Sequence, residues 1–332
     1  MKKMINNPDD VIDELMTGYL IAYPEYIRRS NLHQRALIGK KRHPDRKVSI
    51  LIGGGSGHEP AFLGYVGQGM ADGVAVGNIF ASPSPIPIQA VTREIHDNHG
   101  VLYVYGNYAG DLMNFEMASE MTEIEDDIET AVVIGNDDVA SAKEIEERRG
   151  IAGELLVYKA AGAAADFGYG LEEVRRIAQL ANDNTRSMGI GLSPCYLPQT
   201  GKPSFDLEDN EMEIGLGHHG EPGIEKTTLR SAKETVQVMM QNILKENIYQ
   251  SNDEVVVLVN GLGATSQMEL YIINKEVDEI LKEKNIKTYK SYVGNFITSM
   301  EMGGFSVTLM KLDDTLKSCI DNPVDCPNFK EV

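Results

Sequence analysis

Three short β-rich runs, each closing in a loop of glycine, asparagine and aspartate, limit what this chain can fold into more than any other feature. Lys47-Val48-Ser49-Ile50-Leu51-Ile52 runs into Gly53-Gly54-Gly55-Ser56-Gly57-His58-Glu59-Pro60. Gly100 to Tyr105 ends in Gly106-Asn107-Tyr108-Ala109-Gly110-Asp111, and Thr130 to Ile134 ends in Gly135-Asn136-Asp137-Asp138. Helical pattern follows the second and third runs, over 111–121 and 141–149. A strand, polar loop, helix rhythm predicts an α/β sheet whose ligands sit at the carboxyl ends of the strands.

The rhythm continues along the chain. A helix is expected from Pro8-Asp9-Asp10, with Val11, Leu15 and Leu20 on one side, and further helices over 154–167 and 171–185. Beyond a stretch punctuated by proline and glycine at 193–203, strands are expected at 189–192, 211–216, 255–259, 288–294 and 305–311, with helices at 229–244 and 267–283. This organisation predicts two α/β domains, 1–188 and 189–332, each a mixed sheet flanked by helices, with a margin of about ten residues on the boundary. At 332 residues, such domains bury a core without staples or metals.

Charge narrows the function classes. Against 50 acidic side chains stand 31 basic ones, a net charge of −19, which argues against direct nucleic-acid binding because phosphate contacts need clustered Lys and Arg. Cys195, Cys319 and Cys326 have no CxxC spacing and form no disulfide framework, so structural thiols in a reducing setting are expected. No run of about 18 apolar residues and no signal-peptide pattern is present, so the expected location is cytoplasmic, with no membrane contact.

The chemistry is therefore sought in the loops. Gly53 to Pro60 is neither a Walker A loop nor a dinucleotide fingerprint. It reads either as a tight strand-to-helix turn or as a ligand loop in which Gly54, Gly55 and Ser56 let a ligand approach and His58 handles a proton. Asp111 reads either as a helix N-cap or as a carboxylate that takes a hydroxyl proton. Gly217-His218-His219-Gly220-Glu221-Pro222-Gly223 is either a turn with surface histidines or a site for imidazole attack on a carbonyl carbon. It lacks the second cluster that zinc requires, so no metal is expected. Ser82-Pro83-Ser84-Pro85-Ile86-Pro87 is expected to be an extended connection beside the ligand site.

Longer blocks carry a family resemblance. GGGSGHEPAFLGYVGQGM, NIFASPSP, GNYAGDLMNFEMA, RRGIAG, LVYKAAGAAA, GKPSF, EMEIGLGHHGEPGI and NGLGAT occur in one order across nearly the whole chain. They resemble the dihydroxyacetone-binding subunits of dihydroxyacetone kinases, the DhaK family. The resemblance implies two α/β domains, a homodimer, and a small ketone such as dihydroxyacetone held as a covalent hemiaminal on a histidine, which His219 matches. It implies ligand contacts at Gly54, Gly55, Ser56, His58, Gly106 and Asp111. In a kinase His58, Asp111 and His219 would be the catalytic residues, with Asp111 as base. It implies no directly bound cofactor, since ATP, ADP or the phosphotransferase phosphate sits on a DhaL-type partner subunit.

Two departures bear on the output. Kinase subunits of this family usually carry lysine where Gly106 stands, and the usual acidic residues are missing from Asn78 to Ile86. Phosphoryl transfer depends on positioned positive charge. The departures favour a non-kinase, DhaQ-like co-activator that responds to the ketone and binds a TetR-type, DhaS-like regulator. Retained His58 and Asp111 favour the alternative, a kinase subunit for dihydroxyacetone or erythrulose, with Gly106 making room for one more carbon.

Overall fold

The chain is an α/β protein, and its described residues form two mixed six-stranded sheets and eight α-helices. The computed structural model describes residues 2–46 and 48–332. The first sheet comprises β1 (Ile27–Arg29), β2 (Ala36–Gly39), β3 (Ser49–Ser56), β4 (Gly73–Ile79), β5 (Val101–Gly106) and β6 (Thr130–Gly135), in the order β1-β2-β4-β3-β5-β6. β4, β3, β5 and β6 are parallel, while β1 and β2 add an antiparallel edge. The chain leaves β3 for β4 on one side and returns through β5 on the other. The carboxyl ends of β3 and β5 therefore flank a topological switch point, where open α/β sheets hold their ligands.

The second sheet comprises β7 (Thr185–Ser193), β8 (Glu211–Ile214), β9 (Glu225–Thr228), β10 (Glu254–Gly261), β11 (Lys287–Gly294) and β12 (Gly303–Lys311), in the order β11-β10-β12-β7-β8-β9. Only β10 and β11 run parallel. Residue 188 lies within β7, and a short ribbon of β13 (Val324–Asp325) and β14 (Lys330–Glu331) follows the last helix.

The helices are α1 (Val11–Ala22), α2 (Pro85–Ile95), α3 (Ala109–Asp126), α4 (Glu154–Asp166), α5 (Leu171–Asp183), α6 (Ala232–Leu244), α7 (Gln267–Glu283) and α8 (Asp314–Asp321). Alternation along the strands assigns them to layers. In β3, Ile50 and Ile52 join the core of α4, α5 and α8, whereas Leu51 joins that of α2 and α3. In β10, Val256 and Leu258 face the same α4 core, and Val255, Val257 and Val259 face α6 and α7. The α4 layer thus lies between the two sheets. All thirteen residues of α4 are buried, and its alanine-rich stretch admits close neighbours on every side.

Three local expectations are corrected. Gly53 to Ser56 are strand, not turn, and no α-helix follows His58; the next helical residues form one 3-10 turn at Leu63–Tyr65. The segment 141–149 is no α-helix, because Asp138 grips the Ala140 amide and Arg149 while Arg148 donates to the Ala142 carbonyl, holding it as a loop with a short 3-10 turn. Pro85 opens α2 at a first-turn position that needs no amide hydrogen, so only the front of 82–87 is extended. Lys47, the first residue of the expected strand, lies outside the described residues. Among the described residues no helix is long and apolar enough to cross a membrane.

Candidate active site

At the switch point the backbone of β3 leaves regular pairing. Its register against β4 shifts between Gly54 and Ser56, a bulge of the kind that re-aims a strand beside a site. At Gly55 a Cβ would stand 2.6 Å from the Ala81 amide nitrogen, so the close approach needs glycine. Ser56 turns away, donating from Oγ to the Gly77 carbonyl at 2.8 Å. Gly54, Gly55 and His58 line a small cavity with Gly106, Asp111, Glu154, His218 and His219. The first sheet and its helices supply one wall and the 215–223 loop of the second sheet supplies the other.

His58 is fixed by that second half. Its Nδ1 lies 2.6 Å from the Thr298 carbonyl, which can only accept, so Nδ1 carries the hydrogen and Nε2 faces the cavity with a lone pair. Burial, followed by the neighbouring His219 and His218 rings, holds His58 well below the usual imidazole range. Phe80 stacks on the ring at 5.1 Å.

His219 is held by Glu221, a residue the sequence reading did not single out although it lies inside the same motif. Glu221 accepts from the His219 amide at 2.8 Å and from Nδ1 at 2.9 Å. Gly220, at φ 89°, makes the turn that allows this two-point grip. Burial works to raise the Glu221 carboxyl, but His219, the backbone and Arg149 prevail and leave it at about 2. An ionised carboxylate accepts only, so His219 Nδ1 also carries hydrogen. The two Nε2 atoms stand 3.1 Å apart, each with its lone pair toward the other unless a proton lies between them. Tyr108 closes edge-on over His219 at 4.9 Å, its hydroxyl donating to the Gly150 carbonyl.

Asp111 is not an N-cap. It occupies the third position of α3, whose N-cap is Tyr108, and its Oδ1 is buried without a partner. Burial pushes the carboxyl up to about 6, opposed by Ser82 and His219. A Cβ at Gly106 would stand 2.4 Å from Glu154 Oε1, so the direction in which a side chain would leave the strand is filled by a carboxyl group. Sequence reasoning missed Glu154 because an acid in the first turn of a helix is unremarkable. Among the described residues that line the cavity there is no Lys or Arg.

A doubly wound sheet joined to a second mixed sheet, with an oriented histidine and a buried carboxylate in one cleft, defines a small-molecule-binding α/β protein. The Dak1 domain matches residues 17–328, and the chain belongs to that family. The dihydroxyacetone-binding subunit DhaK of the PTS-dependent dihydroxyacetone kinase 2 of Listeria innocua is 45% identical over 330 residues, covering 99% of each chain. The crystal structure of the dihydroxyacetone kinase of C. freundii matches with a TM-score of 0.91 at 30% identity, over 99% of this chain and 60% of that one. The dihydroxyacetone kinase operon co-activator DhaQ matches with a TM-score of 0.86 at 29% identity, over 93% and 95% of the two chains.

Proposed function

We propose that this chain is the ketose-binding subunit of a dihydroxyacetone-type kinase and captures its ketone as a hemiaminal on His219. The observation that carries this reading is the 3.1 Å contact of the two Nε2 atoms beside the unpartnered Asp111 oxygen. With one proton shared between the two Nε2 atoms, the carbonyl carbon bonds to His219 Nε2, the π pair passes to the carbonyl oxygen, and the shared proton reaches that oxygen through His58. The ring, now carrying a carbon on one nitrogen and hydrogen on the other, is cationic and faces the Glu221 carboxylate. Asp111 takes the proton of a terminal hydroxyl as that oxygen is phosphorylated. A DhaL-type partner brings the phosphate, from ATP or from a phosphotransferase donor, and the chain itself binds no cofactor and works as a homodimer.

This reverses the preference drawn from sequence alone, which ran toward a co-activator. The relative matched end to end at 45% identity is a kinase subunit. Gly106 is also no bare loss of a side chain, since Glu154 fills its place. The likeness to DhaQ over nearly the whole chain supports a second reading, ketone sensing for a TetR-type regulator. Intact-mass analysis with dihydroxyacetone is expected to find an adduct on the wild-type protein and none on His219→Ala. Phosphorylation with a DhaL-type subunit and its donor is expected to follow. An adduct without turnover would transfer the case to the sensor, and a wild-type protein that forms no adduct would refute capture altogether.

A further inference from the structure

One carboxyl in the cavity is used by neither capture nor proton abstraction. Glu154 opens α4 and is 5% exposed. Tyr158, one turn further on, donates its hydroxyl to Oε2, which leaves Oε1 to carry the acid's own hydrogen. Among the described residues Oε1 has no hydrogen-bond partner. It lies against Gly106, Gly135 and Gly150, close enough that a Cβ at Gly106 or Gly150 would stand 2.4 or 2.3 Å away. Burial, with Asp137 and Asp111 adding to it against the Tyr158 bond, pushes the carboxyl up to about 8, so the group is neutral at pH 7. A neutral acid in an apolar enclosure is a hydrogen-bond donor waiting for an acceptor.

We propose that Glu154 is a ligand-binding residue that donates from Oε1 to the hydroxyl on the far side of the ketone from Asp111, so that the cavity selects uncharged ketones hydroxylated on both sides of the carbonyl. The inference rests on capture at His219. Once the ketone is attached it has three oxygens to place. The former carbonyl oxygen lies with His58, one terminal hydroxyl with Asp111 and the other with Glu154. A ketone lacking one hydroxyl leaves a buried polar group unpaired. A ketone with a carboxylate in that place sets its charge between Asp111 and Glu154, with no Lys or Arg among the described residues that line the cavity.

Adduct occupancy by intact mass, titrated with three ketones on the full chain, tests this. Wild-type protein is expected to prefer dihydroxyacetone over hydroxyacetone, which has one hydroxyl fewer, by at least about tenfold. In Glu154→Ala that ratio should collapse to within about threefold, and Glu154→Gln, which keeps an N–H donor, should restore most of it. Hydroxypyruvate should give no adduct at concentrations where dihydroxyacetone saturates, a measurement that needs no variant to fold. Equal occupancy by all three ketones, or an Ala variant with the wild-type ratio, overturns the role of Glu154 while leaving capture standing. No adduct with any of them overturns capture itself.

Discussion

Asp111 presents one buried, unpartnered oxygen to the cavity, and its carboxyl sits at about 6 against about 3.9 in an unfolded chain. The folded state therefore holds an extra proton between about pH 4 and pH 6, and stability falls as pH rises through that window. Two units correspond to about 3 kcal/mol of destabilisation once the group is ionised. Asp111→Asn is accordingly expected to raise the melting temperature at pH 7.5, by the equivalent of about 1–3 kcal/mol, while ending phosphoryl transfer. A lower melting temperature would mean that the carboxylate is better satisfied than its burial implies. Glu221 is the opposite case, held ionised by the ring it orients. Glu221→Gln should leave the fold intact and slow capture by about two to four orders of magnitude, the scale seen when a histidine loses its orienting carboxylate. Stopped-flow or timed mass spectrometry reads this, and an unchanged rate removes Glu221 from the mechanism. His58, Asp111 and His219, singled out in the sequence by their glycine-rich loops and by the family resemblance, line one cavity in the structure. Glu221 and Glu154 were not legible in the sequence, since only the folded chain brings the first to a ring nitrogen and the second under Gly106.

At the scale of elements, the strands read well wherever β-branched runs met a polar stop, as in β5, β6 and β10. The expectations that failed involved tertiary contacts overriding local pattern. Glycines 53 to 55 look like a turn, yet the parallel neighbour β4 keeps them in the sheet. The charged stretch 141–149 has helical composition, but the buried Asp138 and the Arg148 guanidinium bond its backbone as a loop. The meeting of β5 with the first turn of α4 is where element packing touches the site. Gly106→Ala would drive a methyl group to 2.4 Å from Glu154 Oε1, which a well-packed core resists by about 1–3 kcal/mol. In a chemical-denaturation cycle with Glu154→Ala, the double variant should lose less than the sum of the two by about 1 kcal/mol or more. Additive losses would show that α4 yields without straining against the strand.

Over the whole molecule, the α4 layer, the C-terminal ribbon and the second sheet are stitched together by groups that sequence pattern gives no means of pairing. Lys159, in the middle of α4 with no side-chain exposure, reaches Glu331 of β14 at 2.6 Å, and the same carboxylate takes Lys290 of β11 at 2.8 Å. Removing the acid strands a buried cation, so Glu331→Ala is expected to destabilise the protein by about 3 kcal/mol in denaturant titrations, and Lys159→Met in that background to recover most of it. A Glu331→Ala protein as stable as wild type would show that Lys159 finds water instead.

The facing imidazoles have a consequence for how the empty protein meets a ketone. If the hydrogen lodged between the rings is the one the new alkoxide receives, then solvent neither donates nor collects any during attachment. Calorimetric heats of ketone binding should then coincide in phosphate and in Tris, whose own ionisation enthalpies differ widely.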